Sequence, residues 1–146
     1  MRFSERLYAL TDQETQQALG ASIWVRTAEV SSGQVQQALI TNDLQGRVII
    51  LNALCLRAAP AAAQLVSNMI FELMPPSGQP TTPLYIKAFW QGLTADVVGN
   101  LDWTGEVIIP PLWSVRGQAN YNAGGANNTE FAAFGYAIPI GTLTPA

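Results

Sequence analysis

From Ser22 onward, apolar and polar residues alternate in short runs, and Gly, Pro, Asn and Asp interrupt those runs at intervals near ten residues. Alternation sends successive side chains to opposite faces of a strand, and turn signals so closely spaced leave no room for a long amphipathic helix. The runs cover residues 22–30, 34–41, 47–58, 64–74, 84–90, 102–109, 112–121 and 129–138. Between them lie the turn Asn42-Asp43-Leu44-Gln45-Gly46, the proline-rich stretch 75–83, the pair Pro110-Pro111 and a loop over 122–128 that reads as flexible and exposed. Seven or eight such strands predict an all-β fold, a single antiparallel β-sandwich or jelly roll, spanning residues 21–146. A chain of 146 residues buries roughly 68–70% of its unfolded surface and needs no disulfide or metal to hold a core.

The run 47–58 (RVIILNALCLRA) is the most demanding. Val48 and Ile50 fall on one face and Ile49 and Leu51 on the other, so this strand needs cover on both sides. Cys55, the chain's single cysteine, lies in the same apolar run and reads as a small buried hydrophobe.

Residues 1–20 read differently. They hold five of the seventeen charged side chains, few β-branched residues and a Gln-rich stretch with too few apolar positions to anchor a helix. An isolated helix of eight or nine residues is marginal in water. The segment is expected to be an extended N-terminal arm that gains order from a partner, with Arg2, Phe3, Arg6, Leu7 and Tyr8 as its contacts.

Charge narrows the function. Lys, Arg, Asp and Glu make up only 12% of the chain while apolar residues reach 49%. A free monomer normally keeps a well-charged surface, so part of this exterior is expected to meet other protein. The net charge is −3 and the seven cationic residues are scattered, which argues against a nucleic-acid partner. The opening residues lead into no apolar signal core, and no apolar run nears the length of a membrane span, so synthesis in the cytoplasm and no membrane partner are expected.

Catalysis finds little support. With no histidine and one cysteine, the chain lacks the usual general base, the usual nucleophile triads and a zinc ligand set. Asp102 and Glu106 share one strand face, but four residues of extended chain separate them by about 13 Å, against the roughly 5–9.5 Å of a glycosidase pair. Asp96, on the preceding loop, is not forced towards either. No catalytic residue, metal or cofactor is expected. Trp24, Trp90, Trp103 and Trp113 fall on four different strand candidates, as core tryptophans of a sandwich do. Exposed instead, and joined by Asn100, Asp102, Asn120, Tyr121 and Asn122, they would form a sugar-stacking platform.

Three stretches carry a resemblance: Gln45 to Leu56 (QGRVIILNALCL) followed by Ala58-Ala59-Pro60, then Trp103-Thr104-Gly105-Glu106-Val107-Ile108-Ile109-Pro110-Pro111, then Phe134-Gly135-Tyr136-Ala137-Ile138-Pro139-Ile140-Gly141. In this order they resemble the small jelly-roll structural proteins of tailed-bacteriophage virions, over most of residues 45–141. Ile140 stands where the family pattern has a basic residue. The resemblance implies a capsid decoration (cement) protein, located on the virion surface, that binds the major capsid protein and bridges capsid subunits as a homo-oligomer, typically a homotrimer. The alternative is a phage fibre-tip or receptor-binding module recognising host glycan.

Overall fold

The computed structural model describes residues 22–76, 84–90 and 94–140. Eight strands occur where the alternation placed them: β1 (Ser22–Ser31), β2 (Val35–Thr41), β3 (Arg47–Ala59), β4 (Val66–Met74), β5 (Leu84–Trp90), β6 (Gly99–Ile109), β7 (Ser114–Tyr121) and β8 (Asn128–Pro139). They form two four-stranded antiparallel sheets, a front sheet ordered β1-β8-β3-β6 and a back sheet ordered β2-β7-β4-β5. Successive strands mostly switch sheets, and the two nested Greek keys that result are a jelly roll. The N-terminal arm, including Arg2, Phe3, Arg6, Leu7 and Tyr8, lies outside the described residues.

The core forms where the apolar parity of one sheet faces that of the other. Ile49, Leu51, Leu54 and Leu56 of β3, with Phe131 and Ala133 of β8, meet Met69 and Phe71 of β4 and Val115 and Ala119 of β7. Phe71 and Phe131 stack between the layers with ring centroids 5.8 Å apart. Each such ring contributes about 1.5–3 kcal/mol by burial, and the contact adds about 0.5–1.5 kcal/mol. Gly117 makes this possible, because a Cβ there would lie 2.9 Å from Leu56 Cδ1 and 3.0 Å from the Phe131 ring. Trp24 is buried, and Trp103 and Trp113 pack against the same cluster.

One irregularity sets the chemistry of the front sheet. Along β3 the register against β8 passes from Leu51↔Gly135 to Ala53↔Phe134, so Asn52 is an extra, bulged residue. A bulge re-phases the alternation. Before it, Ile49 and Leu51 point inward; after it, Leu54, Leu56 and Ala58 do. Cys55 therefore faces outward and is exposed, contrary to the buried position expected from its apolar surroundings.

Both ends of the sandwich are tied by a buried asparagine. Asn42 donates through Nδ2 to the Arg47 and Ile109 carbonyls at 3.1 and 3.0 Å and accepts from the Leu44 amide at 3.1 Å. At the opposite end Asn127 donates to the carbonyls of Gly33 (2.9 Å) and Ala123 (3.0 Å) and accepts from the Ala61 amide (2.7 Å). The loop over 122–128 is thus not simply an exposed tether, for Asn127 and Thr129 are buried within it and at its edge. Thr129 donates to Gln36 Oε1 at 2.6 Å and lies 2.8 Å from the Tyr121 hydroxyl, continuing the polar chain between the sheets. Burial pushes the Tyr121 phenol above its ordinary range, so this chain stays neutral.

Candidate functional site

The outer face of the front sheet is divided into two halves by its strand register. At the end near the 122–128 loop, one row across the sheet reads Glu29, Glu130, Arg57 and Asn100, and the next reads Thr27, Ala132, Cys55 and Asp102. Beyond the bulge the rows become apolar: Val25, Phe134, Ala53 and Thr104, then Ile23, Tyr136, Ile50 and Ile108, then Ile138 beside Val48.

The polar half is an open groove of about 590 Å³. Glu29 and Glu130 face each other directly across β1 and β8, an arrangement that is unfavourable unless both carboxylates are partnered. Glu130 lies 3.7 Å from Arg57, and Glu29 accepts from Asn128 Nδ2 at 2.7 Å. Both members of the Arg57–Glu130 pair are about half exposed, so it contributes little to stability and leaves the groups available to a partner. Cys55 sits among them. Partial burial in the groove, and then the hydrogen bond and negative charge of Asp102, push its thiol above the ordinary range. The thiolate is the reactive form. Alkylation of Cys55 by iodoacetamide at pH 7.5 is therefore expected to run several-fold slower than that of free cysteine, and to quicken in Asp102→Asn; equal rates in the two proteins would contradict this.

The residues that suggested chemistry do not converge. Asp102 and Glu106 lie on one strand two outward positions apart, as the alternation required. Asp96 accepts from the Ala63 amide at 2.7 Å and so fastens a loop. Asn100 and Asp102 belong to the front sheet, whereas Asn120 bonds Asn68 on the outer face of the back sheet. Tyr121 is buried, and Asn122 accepts from the Leu65 amide at 2.9 Å. The sugar platform is not assembled from these residues. Among the described residues no group of three or more His, Cys, Asp or Glu is placed to hold a metal ion.

The apolar half and the adjoining end of the sandwich carry a concentration of exposed large apolar side chains that sequence reasoning did not single out. Ile23 is 73% exposed, Ile108 48%, Ile140 44% and Leu112 64%. They cluster because β1 starts, β6 and β8 end, and the β6–β7 connection turns at this one end, where Ile140 donates its amide to the Gly46 carbonyl at 3.0 Å and Leu112 to that of Asn42 at 2.9 Å. Leu112 was expected to begin a strand. It instead adopts a left-handed conformation, φ 70°, in the turn before β7, because Pro110 and Pro111 cannot extend the ladder.

No family model and no curated protein matches the chain. Solved structures similar to it include that of infectious bursal disease virus strain Gx, 15% identical with a TM-score of 0.47, over 83% of this chain and 34% of that one. Dimeric latent PorU from Porphyromonas gingivalis is 12% identical with a TM-score of 0.50, over 82% of this chain and 13% of that one. A carbohydrate-binding module of the β-sandwich superfamily is 10% identical with a TM-score of 0.35, over 81% of this chain and 57% of that one. The chain spans about a third or less of the first two, and the likeness is one of β-sandwich fold alone.

Proposed function

We propose that this chain is a virion structural protein, a capsid decoration protein that binds the major capsid protein and bridges its subunits as a homo-oligomer. The observation that carries the reading is Leu112. A leucine in the left-handed region costs on the order of 1–2 kcal/mol that glycine or asparagine largely avoids. The Leu112 side chain is 64% exposed, so packing within the chain does not offset that cost. The turn gains the Leu112 amide bond to Asn42 with any residue there, so a leucine whose side chain finds no packing within the chain points outward, to a contact made with something else. Ile108 and Ile140 lie at the same end, and a chain with only 12% charged residues has little else to keep such an end in water.

Leu112→Asn tests this. The substitution suits the local backbone, and its melting temperature is expected to equal or slightly exceed that of the parent. Burial of one leucine at a contact is worth about 1.5–3 kcal/mol, so binding to undecorated particles, measured by co-sedimentation, is expected to fall roughly 10- to 100-fold. Unaltered binding would count against this end as the contact surface.

A second reading, recognition of host glycan, draws on the open groove with its hydroxyl, amide and carboxylate side chains. Glycan-array binding lost in Asn100→Ala and kept in Leu112→Asn would favour it over the first.

A further inference from the structure

Val48, Ile50 and Ile138 project from the outer face of the front sheet, since their neighbours Ile49, Leu51 and Ala137 occupy the inner one. All three are nonetheless buried, at 6%, 1% and 0% exposure. Among the described residues no strand runs on that side of the sheet, because the back sheet lies against the opposite face. The cover is therefore not a third β-layer built from the described strands.

The dimensions of the patch select its occupant. Val48, Ile50 and Ile138 lie on the adjacent central strands β3 and β8, whereas Ile23 of β1 and Ile108 of β6, in the same row as Ile50, are 73% and 48% exposed. The cover therefore spans two strands, about 10 Å, and two rows, roughly 14 Å. The resulting strip, roughly 150 Å², is about a fifth of what each partner contributes to a stable protein–protein interface. A segment of chain fits such a patch better than a second subunit does.

Of the stretches outside the described residues, two continue directly from strands of this sheet, residues 1–21 from β1 and residues 141–146 from β8, whereas residues 77–83 and 91–93 follow strands of the back sheet. The second has one large aliphatic side chain, Leu143. The first offers Phe3, Leu7 and Leu10, three large apolar side chains within eight residues. It also offers Arg2 and Arg6, while the adjoining half of the face presents Glu29, Glu130 and Asp102 against one cation, Arg57. Connectivity agrees with composition. The chain enters β1 at Ser22, one residue before Ile23 in the row Ile23, Tyr136, Ile50 and Ile108. A ligand tethered at the margin of its own site acts at an effective concentration of about millimolar.

We propose that the apolar half of the front sheet's outer face, centred on Ile50 and Ile138, is the docking seat of the chain's own residues 1–20, with Phe3, Leu7 and Leu10 on the apolar rows and Arg2 and Arg6 towards the acidic ones. This stands whether or not the chain binds a capsid, and it gives the N-terminal segment a partner within the molecule. The experiment compares the full chain with three variants: one lacking residues 1–20, one lacking residues 141–146, and the full-length double variant Phe3→Asp/Leu7→Asp. Hydrogen exchange of the 134–138 and 48–50 amides, fluorescence of an added apolar dye, and mass by light scattering are recorded for each. Removal of residues 1–20 is expected to raise dye fluorescence and to speed exchange on these stretches several-fold. The double variant should do the same, a synthetic peptide of residues 1–20 should reverse the effect of the truncation, and mass should stay that of one chain or one unchanged oligomer. If the patch stays protected without residues 1–20, if only loss of residues 141–146 opens it, or if protection tracks dissociation of an oligomer, the proposal is overturned.

Discussion

Replacing Gly135 with alanine is expected to leave little or no soluble folded protein. A Cβ at this position would lie 2.2 Å from the Ile50 carbonyl oxygen, 3.0 Å from its carbonyl carbon and 3.1 Å from Leu51 Cα. All three are backbone atoms of β3, an interior strand, and none can swing aside as a side-chain tip would. The clash is relieved only if β3 and β8 move apart by about an ångström, beside the bulge at Asn52, where the ladder is already interrupted. That movement weakens neighbouring ladder hydrogen bonds, each worth about 0.5–1.5 kcal/mol, and loosens Leu51, Leu54 and Ala133 in the core. A loss of about 4 kcal/mol or more removes between about a quarter and four-fifths of the 5–15 kcal/mol that a domain has. The control is Gly124→Ala, where the nearest atom to the new Cβ is 4.0 Å away and the change should stay within about 0.5 kcal/mol. Urea midpoints and soluble yield measured side by side decide the matter. A Gly135→Ala protein that unfolds within a few tenths molar urea of the parent would show that β3 and β8 can part at this point at little cost.

The steric demand at Gly135 illustrates what was legible in the sequence and what was not. Strand positions were legible because alternation and turn residues are local signals. The expected run 84–90 coincides with β5, and 47–58 differs from β3 by one residue. The two-sided apolar character of β3 was also legible, and its outward residues Val48 and Ile50 are buried as that character required. Parity, however, says which residues share a face and not which sheet the face belongs to. Asn100 and Asn120 looked like neighbours at strand ends, yet they sit on the outer faces of different sheets. A bulge has no local signature in a run such as LNALC, so Cys55 was assigned to the wrong side. The cluster of Ile23, Ile108, Leu112 and Ile140 needs the topology to bring four distant stretches to one end, and no spacing rule could have assembled it. Asn127 is the sharpest case. Its surroundings, AGGANNT, read as a polar loop, but a buried asparagine and a solvated one are identical in sequence.

Asn127→Ala is the second change with a large expected effect, and its reason is topological. Four connections meet at this end of the sandwich, and Asn127 bonds three of them: its amide nitrogen holds the β1–β2 turn through Gly33 and the β7–β8 loop through Ala123, and its side-chain oxygen holds the β3–β4 loop through Ala61. The fourth joins indirectly, since Asp96 of the β5–β6 connection accepts from the Ala63 amide. Asn127 is 1% exposed, so water does not readily replace the lost partners. Alanine leaves the part-buried Ala61 amide and Ala123 carbonyl without this partner and the Gly33 carbonyl with only Gln36 Nε2 at 3.5 Å, at about 1–3 kcal/mol for each group that stays dry. Allowing for relaxation, the expected loss is about 3–5 kcal/mol, or roughly 10 °C or more in melting temperature for a chain of this size. Asn122→Ala, which removes a single exposed bond to the Leu65 amide, should cost about 1 kcal/mol or less. The loss in Asn127→Ala should also be local before it is global. Limited proteolysis is expected to cut first within residues 122–126 and 61–64, at denaturant levels where the Phe71–Phe131 core is still intact by near-ultraviolet circular dichroism. An Asn127→Ala protein as stable and as resistant as Asn122→Ala would mean that the four loops hold one another without this side chain.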